Sequence, residues 1–314
     1  MKKIYQAVPP LVQFILLILS VIGIFSKNFY LADIFSHFNV QYAALSLFLT
    51  TIFVWRRIWL KWIVLSSVVM FINLLPVAQL YFNKQSTISV DESFKLITFN
   101  VLDANPDKSA VLGYLIDENP DVLVLNEYTP EWDLLADTLK KVYQYHDVIP
   151  LDGHFGIAVF SRLPSSFKRE YYAMNAVPSI KTTFYFEGDS IQMLATHPTP
   201  PVTPFDWEAR NYQLDQIAKE RIKSLDKNYM IVGDLNITSF SKPFKDLIEI
   251  TFTRDSRLGF GLHPTWPSWN KLFYISLDHC LVSENIVVKN RELGPFLGSD
   301  HLPVKLELSL KKKL

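Results

Sequence analysis

YMIVGDLN, residues 229–236, is an apolar run that closes on Gly233, Asp234 and Asn236. It reads as a buried strand whose end carries a carboxylate and a carboxamide two positions apart. Working outward, FKLITFNV ends on Asn100, and DVLVLNE ends on Glu127. GIAVFSR, IQMLATH, LDHCLVS and HLPVKLEL are further short β-rich runs, each with a polar group at or near one end. Between the first two strands KSAVLGYLIDE has helical spacing, with Val111, Leu112 and Leu115 on one face, and residues 207–225 form the longest amphipathic helix. Short strands alternating with helices imply an α/β fold in which helices cover a largely apolar sheet system. In layered α/β folds a rigid sheet aims the residues at its strand ends into solvent, so polar groups gathered there mark the expected site.

The first part of the chain has a different composition. Leu11–Phe25, residues 40–55 and residues 62–82 are uncharged apolar runs, expected to be three transmembrane helices once flanking residues extend the shorter two. The basic start invites comparison with a cleaved signal peptide, but no small-x-small site follows and two more apolar runs do. Lys2 and Lys3 precede the first run, and Arg56, Arg57 and Lys61 separate the second from the third. Those two regions are therefore expected on the cytoplasmic side of a bacterial cell membrane, and everything after Phe82 on the opposite side. The polar stretch 83–93 reads as a linker, giving a membrane segment (1–82), a linker (83–93) and a soluble domain (94–314). Residues 1–93 carry seven basic and three acidic side chains, leaving 24 and 28 for the rest, so the domain offers no general basic footprint for long nucleic acid. A single cysteine, Cys280, excludes an intramolecular disulfide.

The polar strand ends share one chemistry. Asn100, Glu127, His197, Asp234 with Asn236, and the pairs Asp278-His279 and Asp300-His301 supply oxygen ligands and imidazoles without thiolates. That set suits a hard ion such as Mg²⁺ or Mn²⁺, and a carboxylate beside an imidazole suits acid–base or electrostatic catalysis. Together they point to metal-assisted attack of water on a phosphoryl centre. Side chains alternate across a strand, so where Asp278 faces the site His279 faces away.

TFN (98–100), LNE (125–127), TH (196–197), GDLN (233–236), LDHCLVS (277–283) and GSDHLPV (298–304) resemble, in order, the successive motifs of the endonuclease/exonuclease/phosphatase superfamily. The resemblance spans about residues 94–310 and implies a four-layered αββα sandwich of the DNase I-like kind. It implies that Glu127 is the principal metal ligand, with Asn100 and Asp300 near the metal, and that Asp234 orients or deprotonates the attacking water. Asn236 would stabilise the charged transition state, His301 would contact the scissile phosphate and be oriented by Asp278, and His197 would stand by the leaving group. The pattern departs at Leu102, where some nuclease members have an aspartate; Asp103 stands one position later, so no second carboxylate ligand is assigned there.

Substrate identity belongs to surface loops. Nucleic acid, phospholipid, inositol phosphate and other phosphate esters stay open, and no protein partner is inferred. Phe260, Trp266 and Trp269 occupy a Pro-rich loop where aromatics stack on bases, sit at a lipid surface or close the core. Trp266, Arg210 and Asn211 are the candidate substrate contacts. The alternative to a membrane-anchored phosphoesterase is a catalytically silent, membrane-tethered scaffold of the same fold.

Overall fold

A computed structural model describes residues 2–82, 92–172, 177–224 and 226–311 of the chain; of the expected linker, only Glu92 and Ser93 lie within them. The chain opens with four helices, α1 (Lys2–Ile22), α2 (Tyr30–Ser36), α3 (Asn39–Trp55) and α4 (Leu60–Phe82). Leu16, Tyr42, Leu49, Phe53 and Val69 pack between them. Phe14, Ile18, Phe48, Phe71 and Leu75 point outward and are exposed. The bundle is thus apolar both inside and on its surface. Its interhelical hydrogen bonds, Asn73 Nδ2 to Ser20 Oγ at 2.7 Å and Thr50 Oγ1 to Ser66 Oγ at 2.8 Å, are the polar contacts that join helices there. Val8–Phe25 and Leu60–Phe82 are each long and apolar enough to cross a membrane. The expected middle span reaches that length only if α3 is joined to α2, from which it is bent by 64°.

The remainder is a two-sheet sandwich. The chain first lays down β1 (Phe94–Asn100), α5 (Lys108–Glu118), β2 (Val122–Asn126), α6 (Pro130–Leu135), α7 (Asp137–Val142), β3 (Tyr145–Ile149) and β4 (Ile157–Ser161). It then builds a second sheet from β5 (Ser165–Tyr171), β6 (Pro178–Phe186), β7 (Asp189–Thr196), β8 (Tyr229–Asp234), β9 (Thr253–Asp255) and β10 (Asp278–Ser283), with α8 (Pro204–Lys223) and α9 (Lys242–Thr251). Finally β11 (Ile286–Leu293) and β12 (Val304–Leu310) return to the first sheet. The strand orders are β11-β12-β1-β2-β4-β3 and β5-β6-β7-β8-β10-β9.

Alternation of side chains sorts this sequence into layers. Leu96, Val124, Met230, Val232, Cys280 and Val282 meet between the sheets. Ile97, Phe99, Leu123 and Leu125 face α5 to α7 on one outer side, and Ile231 and Leu281 face α8 and α9 on the other. The result is the expected αββα order. Helix α8 starts where Thr203 Oγ1 accepts the Asp206 backbone N–H, the Asp206 carboxylate reciprocates and Pro204 occupies the first turn, a capping box that ends the Pro-rich segment after His197.

One end of the helical bundle rests on one end of this sandwich. The Gly259 backbone N–H donates to the Leu80 carbonyl at 2.7 Å, and that of Lys242 to Ser26 Oγ at 2.8 Å. Tyr30 donates to the Val202 carbonyl at 2.8 Å, and Gln41 Nε2 to that of Tyr274 at 3.1 Å. Val202 follows β7, Lys242 follows β8, and Gly259 and Tyr274 precede β10. These four contacts fall on three connections, all at the end of the sheet where Thr196, Asp234 and Asp278 stand.

Candidate active site

The register explains why VGDLN has its glycine. β8 runs parallel to β7, and a Cβ on Gly233 would lie 2.1 Å from the Thr196 carbonyl oxygen, at a φ of +138° that side chains resist. Gly233→Ala must push the two strands apart behind Asp234. We expect a loss of about 3 kcal/mol in stability, read by thermal or denaturant unfolding.

Parity then places the polar ends. Asn100, Asn126, Asp234 and Asp278 continue the inward-facing rows of their strands, with Asn100 opposite Asn126 and Asp278 opposite Asp234 in register. The Asp234 backbone N–H donates to Asn126 Oδ1 at 3.1 Å. Its carboxylate accepts the Asn236 backbone N–H at 2.9 Å and Asn100 Nδ2 at 3.2 Å. Oδ2 of Asp234 also lies 3.5 Å from Nε2 of both His197 and His301. His301 Nδ1 is 2.7 Å from Asp278 Oδ2, so one imidazole links two carboxylates. The SDH loop is pinned to β1, because Ser299 Oγ donates to the Asn100 carbonyl at 2.7 Å and accepts the His301 N–H at 3.1 Å.

The charges follow from this packing. Burial works against protonation of His301, but the Asp278 and Asp234 carboxylates outweigh it and hold the imidazole at about 10. Burial would raise Asp234, yet the His301 and His197 rings and the Asn236 N–H keep it well below the usual carboxylate range. Burial opposes charge on His197 too, and Asp234 raises it above its ordinary value. The other Asp-His dipeptide behaves oppositely. His279 points to the outer face, where its Nε2 meets the Ile237 carbonyl at 2.8 Å, and burial with Arg257 nearby lowers it to about 3.

His301 carries a signed consequence for stability. Its folded value is above its ordinary 6.5, so the stability it contributes is complete below 6.5 and is lost as pH rises towards about 10. Thermal unfolding between pH 6 and 10 is expected to show a downward slope for the native chain that His301→Gln flattens.

Glu127, at the turn after β2 with φ of +60°, forms the other half of the site. Oε1 accepts Asn100 Nδ2 at 2.9 Å and Oε2 accepts the Asp103 N–H at 3.1 Å. His154 Nδ1 lies 3.4 Å from both Glu127 Oε2 and Asp103 Oδ2. Two groups therefore bring three ligand atoms within 4.8 Å of one another: Asp103, Glu127 and His154, and Asp234, Asp278 and His301. In the second, the charged imidazole already offsets one of the two carboxylate charges. The first is the better place for a divalent cation, since two carboxylates there face only one half-exposed ring. Buried Asp278 Oδ1 and Asp300 Oδ1 have no hydrogen-bond partner among the described residues.

Several sequence candidates take other positions. Asn100 Oδ1 accepts the Leu102 N–H at 3.1 Å, which turns its amide nitrogen, not its oxygen, towards Glu127 and Asp234. Asp300 stands outside the Glu127 group, its Oδ2 accepting the Trp266 indole N–H at 3.0 Å. Trp266 thus touches a site residue, half-buried. Asn236 donates its side-chain amide to the Pro198 carbonyl at 2.9 Å. Arg210 is fully buried and does not face the site as the sequence reading expected. Its guanidinium pairs with buried Asp33 of α2 and donates to the Asn236 carbonyl at 2.9 Å. Asn211 accepts from Arg210 at 2.8 Å and lines a surface hollow beside Lys27 and α9. Sequence reasoning passed over Asn126, though it adjoins Glu127 in the quoted motif and shares the parity of Val124. It assigned no ligand to Asp103, and nothing in the isolated residue His154 announced it.

The model of the Endonuclease/Exonuclease/phosphatase family matches residues 97–301. No curated protein sequence matches the chain. Solved structures that superpose on it include an endonuclease/exonuclease/phosphatase of Beutenbergia cavernae, 18% identical, covering 69% of this chain and 72% of that one with a TM-score of 0.55. TDP2 of D. rerio, complexed with a single-strand DNA product, is 17% identical over 70% of this chain and 100% of its own, TM-score 0.57. The human Nocturnin catalytic domain with bound sulfate is 17% identical over 71% and 97%, TM-score 0.57. At these identities the likeness is one of fold.

Proposed function

The chain belongs to the endonuclease/exonuclease/phosphatase family, and from that premise we propose that it is a membrane-anchored, divalent-metal-dependent phosphoesterase. The observation that carries this reading is Asp234 lying 3.5 Å from two imidazoles, one of them held by Asp278, on the same strand ends as the Glu127 group. Glu127, with Asp103 and His154, would hold Mg²⁺ or Mn²⁺, which when bound would supply positive charge to the phosphoryl group. His301, protonated between two carboxylates, donates from Nε2 to an oxygen of the phosphate as negative charge builds there. Asp234 is too acidic to be a strong base, so it orients the attacking water and takes its proton only as that charge develops. His197, whose Nε2 lies 3.5 Å from the same Asp234 oxygen, serves in this reading as the proton donor to the departing oxygen. Asn236 positions Asp234 through its backbone N–H, and Trp266 steadies Asp300.

The helical bundle supports anchoring. Arg56, Arg57 and Lys61 gather at the turn between α3 and α4, while every sandwich contact described above comes from the opposite ends of the helices. The basic end is read as cytoplasmic and the catalytic sandwich as lying across the membrane. A C-terminal alkaline-phosphatase fusion is expected to be active, and an inactive one overturns this orientation.

Full-length chain reconstituted in nanodiscs, assayed with Mg²⁺ on plasmid DNA and on phospholipid vesicles, tests the activity. Hydrolysis of either that vanishes with chelator and with Asp234→Ala is the expected result. Turnover indifferent to both changes sinks the reading.

A further inference from the structure

The loops that ring the candidate site carry an unusual share of apolar side chains. Val202 and Phe205 follow His197, Trp269, Leu272 and Phe273 follow Trp266, and Phe296 precedes Asp300. All six are between 53% and 73% exposed except Leu272, at 78%. Two of these loops are tied to the bundle, by Tyr30 on the Val202 carbonyl and by Gln41 Nε2 on the Leu272 carbonyl at 3.3 Å. The exposed rim therefore continues the exposed apolar surface of helices long enough to cross a bilayer. Between α3 and the 262–276 loop lies a cleft of about 570 Å³, lined among others by Val40, Ala44, Leu45, Leu262, Leu272 and Ile275. Lys271 borders the same cleft.

Resting on the phosphoesterase reading above, we propose that this rim enters the leaflet next to the catalytic sandwich and that the site takes a lipid-borne phosphate ester, with acyl chain held in the α3 cleft. Apolar side chains ringed around a polar site gain by burial in lipid what they lose in water. Nucleic acid fits the rim less well, because the 94–314 region is net acidic and the rim presents few phosphate contacts. The occupant is fixed by continuity: the surface beside the rim is the one that faces hydrocarbon.

Two measurements on the full-length chain in phosphatidylcholine–phosphatidylglycerol nanodiscs test this. A fluorophore attached at Leu272→Cys is expected to be quenched by brominated acyl chains, and one at Tyr185→Cys, beside the β6–β7 turn at the far end of the sheet, is not. Native Cys280 is buried and leaves the new thiol as the labelling site. Trp269→Ser, Leu272→Ser and Phe273→Ser combined are expected to cut headgroup release by about tenfold or more. Hydrolysis of soluble bis(p-nitrophenyl) phosphate should stay within about twofold. Absence of quenching at 272 overturns the docking surface. Cleavage of plasmid DNA with the lipid untouched, or equal loss on both esters in the triple variant, overturns the lipid substrate. Quenching at 272 in a chain that hydrolyses neither ester upholds the lipid contact and counts against the phosphoesterase reading alone.

Discussion

Asp234→Asn is expected to lower hydrolysis by about a thousandfold while leaving the sandwich folded. The substitution keeps the size of the side chain and one oxygen for the Asn236 N–H, and gives up the second oxygen that accepts Asn100 Nδ2. It removes the negative charge that stands 3.5 Å from two imidazoles. Burial then acts on His197 without its main counter-charge, and the ring reverts towards neutral, so proton donation to the departing oxygen is lost with water orientation. His301 keeps Asp278 and stays protonated. The loss should therefore fall on kcat rather than KM, since both missing functions act as charge develops. Steady-state kinetics with far-UV circular dichroism checks this. A change confined to KM would make Asp234 a binding group only.

Much of this arrangement was legible before any coordinates. Alternation along β1, β2, β8 and β10 assigns residues to layers, and the same parity that sends Asp278 inward sends His279 out. Strand ends rich in Asn, Asp and His mark the site because a sheet has only two ends and the motifs share one. What stayed hidden depends on contacts distant in sequence. Arg210 looks like an exposed cation on an amphipathic helix, and its partner Asp33 lies 177 residues earlier in a stretch read as a membrane loop. His154 sits between two short strands with no periodicity to assign it, and joins the site only because that loop folds over Glu127. Asp103 reaches the site because Leu102, at φ of +61°, turns the backbone so that the Asp103 N–H meets Glu127.

Asp33→Ala is expected to be among the most destabilising single changes in the chain, at about 3–5 kcal/mol, because it leaves the Arg210 guanidinium buried without its counter-charge. Asp33 and Arg210 are both fully buried, and Ser241 also donates to Asp33, so water cannot replace the lost carboxylate cheaply. Asp33→Leu combined with Arg210→Met removes both charges and should recover most of that stability, since an apolar pair of similar volume avoids the desolvation penalty. Activity should not recover in parallel. Arg210 also donates to the carbonyl of Asn236, whose own backbone N–H holds Asp234. The double variant lacks that donor, so the left-handed Asn236 turn, at φ of +52°, loses one of its three hydrogen bonds. Thermal unfolding and hydrolysis measured on native, single and double variants separate the two effects. Recovery of stability with kcat still depressed identifies the α2 contact as a support of the site, whereas recovery of both makes it packing alone.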